Sequence, residues 1–268
     1  MPISRLPNPE RSSLLPEDRT CMVVLVPLIV TNDESQRAFD CLDTEERARS
    51  DRFVTVELRR RFGVCRGRLR MLLGAILETS PSKIAFKYGN LGKPYLQSHR
   101  DLHFNVSHSQ DWAVMAFSRC SPVGVDIEFC NRRMNNQAIA SQLLSEVEFS
   151  QWSLLPEANQ RHALLSSWVA KEAILKSLGL GITTSLQKLV LPVPIPSHGF
   201  SPSIDAELIA KAESVDPFNC THHLGSINWR LRIIEEVQNS IAAVCFESEK
   251  QTHETHHWND LDSADFRF

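Results

Sequence analysis

No stretch of this 268-residue sequence is apolar for long enough to cross a bilayer as a helix. The longest run, CMVVLVPLIV at Cys21–Val30, reaches about half the required length and contains Pro27. It reads as a buried strand, and no membrane association is expected. The opening MPISRLPNPERSSLLPEDRT lacks the apolar core of a secretion signal; polar and proline-rich, it is expected to be a loose tail over 1–20. The seven cysteines, an odd number, lie singly with no CxxC, so neither a disulfide framework nor a zinc site is indicated. Reduced thiols and a cytoplasmic location are expected. A net charge of −3 gives no global reason for nucleic-acid binding, and any anion site must come from local clustering.

Familiar catalytic motifs are missing as well. No GxSxG marks a hydrolase nucleophile. In GNLGKP the lysine precedes proline and no helix start follows, which excludes a phosphate-cradling P-loop. Ser107 and His108 are adjacent in a strand-like segment, so they face opposite sides and cannot form a Ser–His pair. His253, His256 and His257 lie in a polar terminal segment and read as incidental clustering.

What is present is a core-forming composition, 42% apolar and 23% charged, in a chain long enough for one large domain or two small ones. LDTEERARSDRF predicts a helix opened by Asp43 or Thr44. VELRRRFGVCRGRLRMLLGAIL predicts a second, with Phe62, Cys65, Leu69, Leu72, Leu73 and Ile76 on one stripe; Gly63 and Gly67 weaken it. IAFKYGNLGKPYL reads as a strand, a glycine-containing turn and an extended piece. LHFNVSH, DWAVMAFS and PVGVDIEF follow as strands, and short turns at Ser109–Gln110 and Ser121–Pro122 predict antiparallel neighbours. SQLLSEVEFSQWSLL and ALLSSWVAKEAILKSLG are the later helices; LVLPVP, INWRLRIIEE and SIAAVCFES are the later strands. Trp112, Phe117, Phe129, Phe149, Trp168 and Trp229 are assigned to the core.

Each half thus runs from helices to antiparallel strands. The expected fold is α+β, with two similar lobes over 21–120 and 121–250, related by a pseudo-twofold, and a flexible C-terminal tail over 251–268. A cleft between the lobes is the natural ligand site.

VGVDIEF, Val123–Phe129, carries the first chemical signal. In an extended chain Asp126 and Glu128 share a face, roughly 6–7 Å apart, while Val125 and Ile127 turn to the core. Two carboxylates that close repel unless a cation, a proton or bulk water separates them. SSWVAKEAILKSLGLG carries the second: Trp168, Glu172 and Lys176 stack along one helix face, with Gly179 or Gly181 as the stop. Alone, Glu172 and Lys176 read as a surface pair worth about 0.3–0.5 kcal/mol. Together with the strand, three carboxylates suit a hard cation such as Mg²⁺ shared with a substrate phosphate.

FNVSHS, GVDIE and WVAKEAILK, with GKP and the basic RRRFGVCRGRLR, resemble in order and spacing the 4′-phosphopantetheinyl transferases, in particular the two-lobed type that serves peptide and polyketide synthases. The similarity runs from about Thr44 to Glu247. It implies transfer of the phosphopantetheine arm of coenzyme A to a serine of an acyl or peptidyl carrier protein, with release of 3′,5′-ADP. It also implies Mg²⁺ on Asp126, Glu128 and Glu172, His108 beside Ser107 near the 3′-phosphate, and Lys176 near the pyrophosphate. Glu172 is the candidate general base, and Lys176 the group that neutralises the leaving phosphate.

Coenzyme A needs cations, and arginines crowd the first helical region among interspersed acids. Arg49 and Arg61 are the expected phosphate contacts, although Glu46 stands where some relatives carry lysine. Lys93 of GKP is the stronger expectation for phosphate or adenine. Glu148 reads as a helix-surface acid with a lesser expectation of lying near the active site. A monomer using coenzyme A, Mg²⁺ and a carrier protein is the leading expectation. The alternatives are another Mg²⁺-dependent phosphoryl-transfer or nucleotide-binding enzyme, or an inert carrier-binding module.

Overall fold

The computed structural model describes residues 20–119, 121–131, 134–180, 186–193, 206–210, 213–215, 222–224, 227–247 and 252–261. Strand β1 (Thr20–Pro27) is followed by helices α1 (Asn32–Asp40), α2 (Thr44–Asp51) and α3 (Val56–Ile76). Strands β2 (Phe86–Tyr88), β3 (Pro94–Leu96), β4 (His103–Ser109), β5 (Trp112–Ser118) and β6 (Gly124–Phe129) come next. Helices α4 (Asn136–Leu143), α5 (Glu146–Ser153) and α6 (Glu157–Leu178) precede β7 (Ala206–Ala210), β8 (Glu213–Val215), β9 (His222–Leu224), β10 (Ile227–Ile234), β11 (Ser240–Glu247) and β12 (Thr252–His257).

Two four-stranded sheets, ordered β12-β1-β5-β4 and β6-β11-β10-β7, pack face to face. The uninterrupted apolar run of β1 serves two cores at once, because successive side chains alternate between faces. Met22, Val24 and Val26 pack against α3, whereas Cys21, Val23 and Leu25 join Val125, Ile127 and Val244 between the sheets. On the far side, Ile241, Ala243 and Cys245 of β11 meet Leu165, Val169 and Ala173 of α6. The layers are therefore helix, sheet, sheet, helix, and the α+β class holds. β4 and β6 are the edge strands of their sheets, and the Val125 amide donates to Asn105 Oδ1 (2.9 Å) across the seam where they meet.

Local chemistry accounts for the helix starts. Thr31, Asp43 and Ser145 each form a reciprocal capping box with a glutamate three residues on. α3 runs unbroken through Gly63 and Gly67, contrary to the expected weakening. A Cβ at Gly67 would lie 2.2 Å from the Ala38 carbonyl oxygen, so bare backbone there lets α1 lie against α3.

Four further expectations are corrected. β6 pairs with β11 rather than β5, because the short turn at Ser121–Pro122 carries the chain from one sheet to the other. SQLLSEVEFSQWSLL forms two helices, since the Ser145 cap restarts the chain after Leu143. LVLPVP forms no strand over its described residues, 189–193; the Leu191 amide bonds to Glu148 Oε1 (2.8 Å) instead of to a ladder. Thr252–His257, expected inside a flexible tail, is strand β12, parallel to β1. It covers the edge that β1 would otherwise expose, and Trp258 beyond it lies 4.4 Å from the Arg68 guanidinium. Of the tail expected over 1–20, Thr20 already belongs to β1 and 1–19 lie outside the described residues, as do the side chains of Trp229 and His253.

Candidate active site

Gly124, at the start of β6, decides how close α6 can come. A Cβ there would sit 2.0 Å from the Ala173 carbonyl oxygen and 2.3 Å from the Ser177 amide nitrogen, so only glycine allows this contact. Asp126 and Glu128 follow on the same face and are thereby turned toward Glu172 and Lys176, one helical turn apart on α6. The step that spacing alone left open, whether helix and strand face one another, is met.

Asp126 is only 5% exposed. Its Oδ1 accepts from Lys176 Nζ (2.6 Å) and from Ser107 Oγ (2.7 Å), while Lys176 Nζ also reaches Ser107 Oγ (3.1 Å). Its Oδ2 is buried and has no hydrogen-bond partner among the described residues. Ser109 Oγ donates to Glu128 Oε2 (3.0 Å). Glu172 is also 5% exposed, and its carboxyl is held above the ordinary range. Burial is the main cause; the charges of Asp126 and Glu128 add to it and Lys176 opposes it.

A buried acceptor oxygen with nothing to bind, beside two further carboxylates that repel it, fits a hard divalent cation taken through oxygen. In the geometry as it stands, no three His, Cys, Asp or Glu side chains among the described residues gather at metal-binding distance. The cation now on Asp126 is the Lys176 ammonium.

Beside this cluster lies a cavity of about 730 Å³, within the size range of small-molecule sites. Arg49, Arg52, Phe62, Phe86, Tyr88 and His108 are among its lining residues. Arg49 stands over the Phe62 ring, 5.2 Å from its centroid. The His108 imidazole is held below its usual range, first by desolvation and then by the positive charges of Lys176 and Arg49. Asp126 opposes them, and Asp43, Glu45 and Glu46 line the cavity beside Arg49, Arg52 and Arg66, so cations and acids share its wall.

Two expected ligand contacts are elsewhere. Lys93 Nζ donates to the carbonyls of Lys176 (2.6 Å), Ser177 (3.2 Å) and Val123 (3.2 Å), which spends all three ammonium protons on the end of α6 and the approach to β6. Burial pulls its pKa down to about 8. Lys93 is a tie between elements rather than a phosphate contact. Arg61 binds Asp111 Oδ1 through two nitrogens (2.6 and 2.9 Å) at the β4–β5 turn and does not line the cavity. Glu148 is not on the surface: it is 1% exposed and pairs with the fully buried Lys171 (2.8 Å). Glu46, an acid in a site that needs cations, is paired with Arg66 and with Arg70 Nε (2.6 Å).

Asn105 and Ser109 went unnoticed at the level of motifs, and so did the aromatic wall of Phe62, Phe86 and Tyr88. Asn105, Ser107 and Ser109 stand at alternate positions of FNVSHS, a polar stripe of period two on an otherwise apolar strand. That pattern is the signal that finds them, and it mirrors the acidic stripe of GVDIE.

Comparison with known proteins gives two family matches: residues 122–218 match the 4′-phosphopantetheinyl transferase superfamily, and residues 30–120 match the N-terminal region of 4′-phosphopantetheinyl transferases. The 4′-phosphopantetheinyl transferase HetI of Nostoc sp. strain PCC 7120 is 32% identical over 180 residues, 66% of this chain and 75% of that protein. The 4′-phosphopantetheinyl transferase Sfp of Bacillus subtilis strain 168 is 27% identical over 157 residues, 59% of this chain and 69% of that protein.

Proposed function

From the premise that this chain belongs to the 4′-phosphopantetheinyl transferase superfamily, we propose that it moves the phosphopantetheine arm of coenzyme A onto a serine hydroxyl of an acyl or peptidyl carrier protein, releasing 3′,5′-ADP. The observation that carries this reading is the convergence of Asp126, Glu128 and Glu172 with Lys176 beside a cavity with cationic and aromatic walls.

Attack of a serine oxygen on the β-phosphorus is phosphoryl transfer, in which positioning and charge neutralisation dominate. Asp126, Glu128 and Glu172 would hold Mg²⁺, which when bound supplies neutralisation of the diphosphate. Arg49 and His108, together in the cavity lining, receive the 3′-phosphate end. Phe62, Phe86 and Tyr88 supply the aromatic lining beside which the base would lie. Glu172 takes the proton of the incoming serine hydroxyl. Lys176 meets the charge that develops on the departing phosphate. Ser107 and Ser109 hold Asp126 and Glu128 in the orientation this requires.

We place this reaction in the cytoplasm, with the chain acting as a monomer on synthase carriers. Among the described residues no helix is long and apolar enough to cross a membrane, and the described cysteines are free thiols. The test is mass spectrometry of an apo carrier incubated with the chain, coenzyme A and Mg²⁺. The carrier should gain the mass of one phosphopantetheine. Unmodified carriers of fatty-acid, polyketide and peptide type alike would overturn the reading. Retention of a carrier without modification would instead identify a binding module.

A further inference from the structure

Lys176 is well placed for its charge but awkwardly placed for a metal. Its ammonium sits 2.6 Å from Asp126 Oδ1, on the very carboxylate whose other oxygen is unpartnered. A divalent cation arriving at Asp126 would therefore meet a positive charge already seated there, and the two repel strongly in a site this dry. Lys176 is the more movable of the two groups. Its side chain is 29% exposed against 7% for Asp126, and a four-carbon stem lets the ammonium swing by several ångströms.

We infer that Lys176 is the internal counter-ion of the metal-free site, leaving Asp126 for the coenzyme A diphosphate as the divalent cation arrives, so that cation and coenzyme A bind cooperatively. This rests on the proposed function above and adds a coupling between its two ligands. In the free protein the ammonium quiets the repulsion among Asp126, Glu128 and Glu172, and so keeps the carboxylates together without metal. Ser107 Oγ, 3.1 Å from Nζ and 2.7 Å from Oδ1, fixes both partners in that resting arrangement. The diphosphate then offers Lys176 a second anion, which frees Asp126 Oδ1 to join Oδ2 in cation binding. Thermodynamic linkage makes the effect mutual: coenzyme A tightens the metal by the same factor by which metal tightens coenzyme A. Lys176 is thus a positioning residue for the metal in addition to its role at the phosphate.

The experiment measures Mn²⁺ affinity of the full chain from the paramagnetic resonance signal of free Mn²⁺, with and without saturating coenzyme A. For the wild type, coenzyme A should tighten Mn²⁺ roughly tenfold or more. Lys176→Met should bind Mn²⁺ roughly tenfold tighter than wild type without coenzyme A, and should lose most of the further gain on adding it. Lys176→Arg, which keeps the charge, should stay near wild type without coenzyme A, separating charge competition from structural damage. Asp126→Asn should bind weakly in both conditions. Equal Mn²⁺ affinity of Lys176→Met and wild type in the absence of coenzyme A overturns the counter-ion role. If wild type still binds Mn²⁺ with coenzyme A and modifies the carrier, the proposed function stands without it. A wild type that binds no Mn²⁺ under either condition overturns both.

Discussion

Two lysines five residues apart on α6 meet buried carboxylates in opposite ways. Lys171 is fully buried and donates to Glu148 Oε2 (2.8 Å), the Leu143 carbonyl (2.8 Å) and the Leu186 carbonyl (3.0 Å). Glu148 in turn accepts from the amides of Ser145 (2.7 Å) and Leu191 (2.8 Å). All three ammonium protons are used and both carboxylate oxygens have partners, so this network pins α4, α5 and the segment after α6 together. Lys176 is partly exposed, and its partner Asp126 keeps one buried oxygen unmatched beside two more carboxylates. The closed network is architecture. The open one stores the capacity to bind something, and that capacity is what the proposed chemistry draws on.

The largest expected effect comes from opening the closed network. Lys171→Met strands the Glu148 charge in the core and should cost about 3–5 kcal/mol of stability in denaturant titration. Adding Glu148→Leu should recover much of that loss, because an apolar pair of similar volume replaces a buried ion pair at little net cost. If the double variant is no more stable than the single one, the network is not a self-contained pair.

Next in size is removal of a carboxylate from the open cluster. Glu172→Gln should lower turnover by roughly 100- to 1,000-fold while the chain still folds. Turnover within a few-fold of wild type would remove Glu172 from the role of general base.

A smaller contrast separates two arginines. Arg49→Ala should raise the KM for coenzyme A by about tenfold, corresponding to one charge-assisted contact. Arg61→Ala should leave KM within about twofold, since its guanidinium is held by Asp111 away from the cavity. Equal effects would contradict the placement of the 3′-phosphate at Arg49 and His108.

The smallest effect is a gain in stability. Glu172 has its folded pKa raised above the ordinary glutamate value of 4.5. The folded metal-free protein therefore binds more protons than the unfolded chain between that value and the raised one, and stability falls as pH rises through this window. The deficit persists at neutral pH. Glu172→Gln should consequently raise Tm at pH 7, by about 2 °C, with the gain shrinking as pH falls through that window and absent below roughly 4. A Tm unchanged at neutral pH would mean the cluster is not under strain.

Much of this was legible in the residues. β1 and β4 to β6 announce themselves by apolar runs and alternation, α6 by its spacing, and the three carboxylates by their pairing on one face and a third on another. The contact between them was not readable, because it depends on Gly124, whose missing side chain is informative only once α6 is seen against it. Glu148 was misread because a buried charge looks like a surface charge until its partner 23 residues away is known. Lys93, next to a proline in a turn, resembles a solvent-exposed ligand contact; the carbonyls that hold it come from Val123, Lys176 and Ser177 in the other half of the chain. β12 escaped notice because its polar sequence carries no strand period, and its partner β1 lies at the opposite end of the chain. Local patterns report on faces and ends of elements; which faces meet is decided by packing at long range.

The most direct test of the account is anomalous diffraction from crystals of the chain grown with Mn²⁺ and coenzyme A. The account predicts one Mn²⁺ peak bonded to carboxylate oxygens of Asp126, Glu128 and Glu172, with Lys176 turned from Asp126 to the diphosphate. A peak at any other place, or Lys176 still seated on Asp126 with coenzyme A bound, would contradict it.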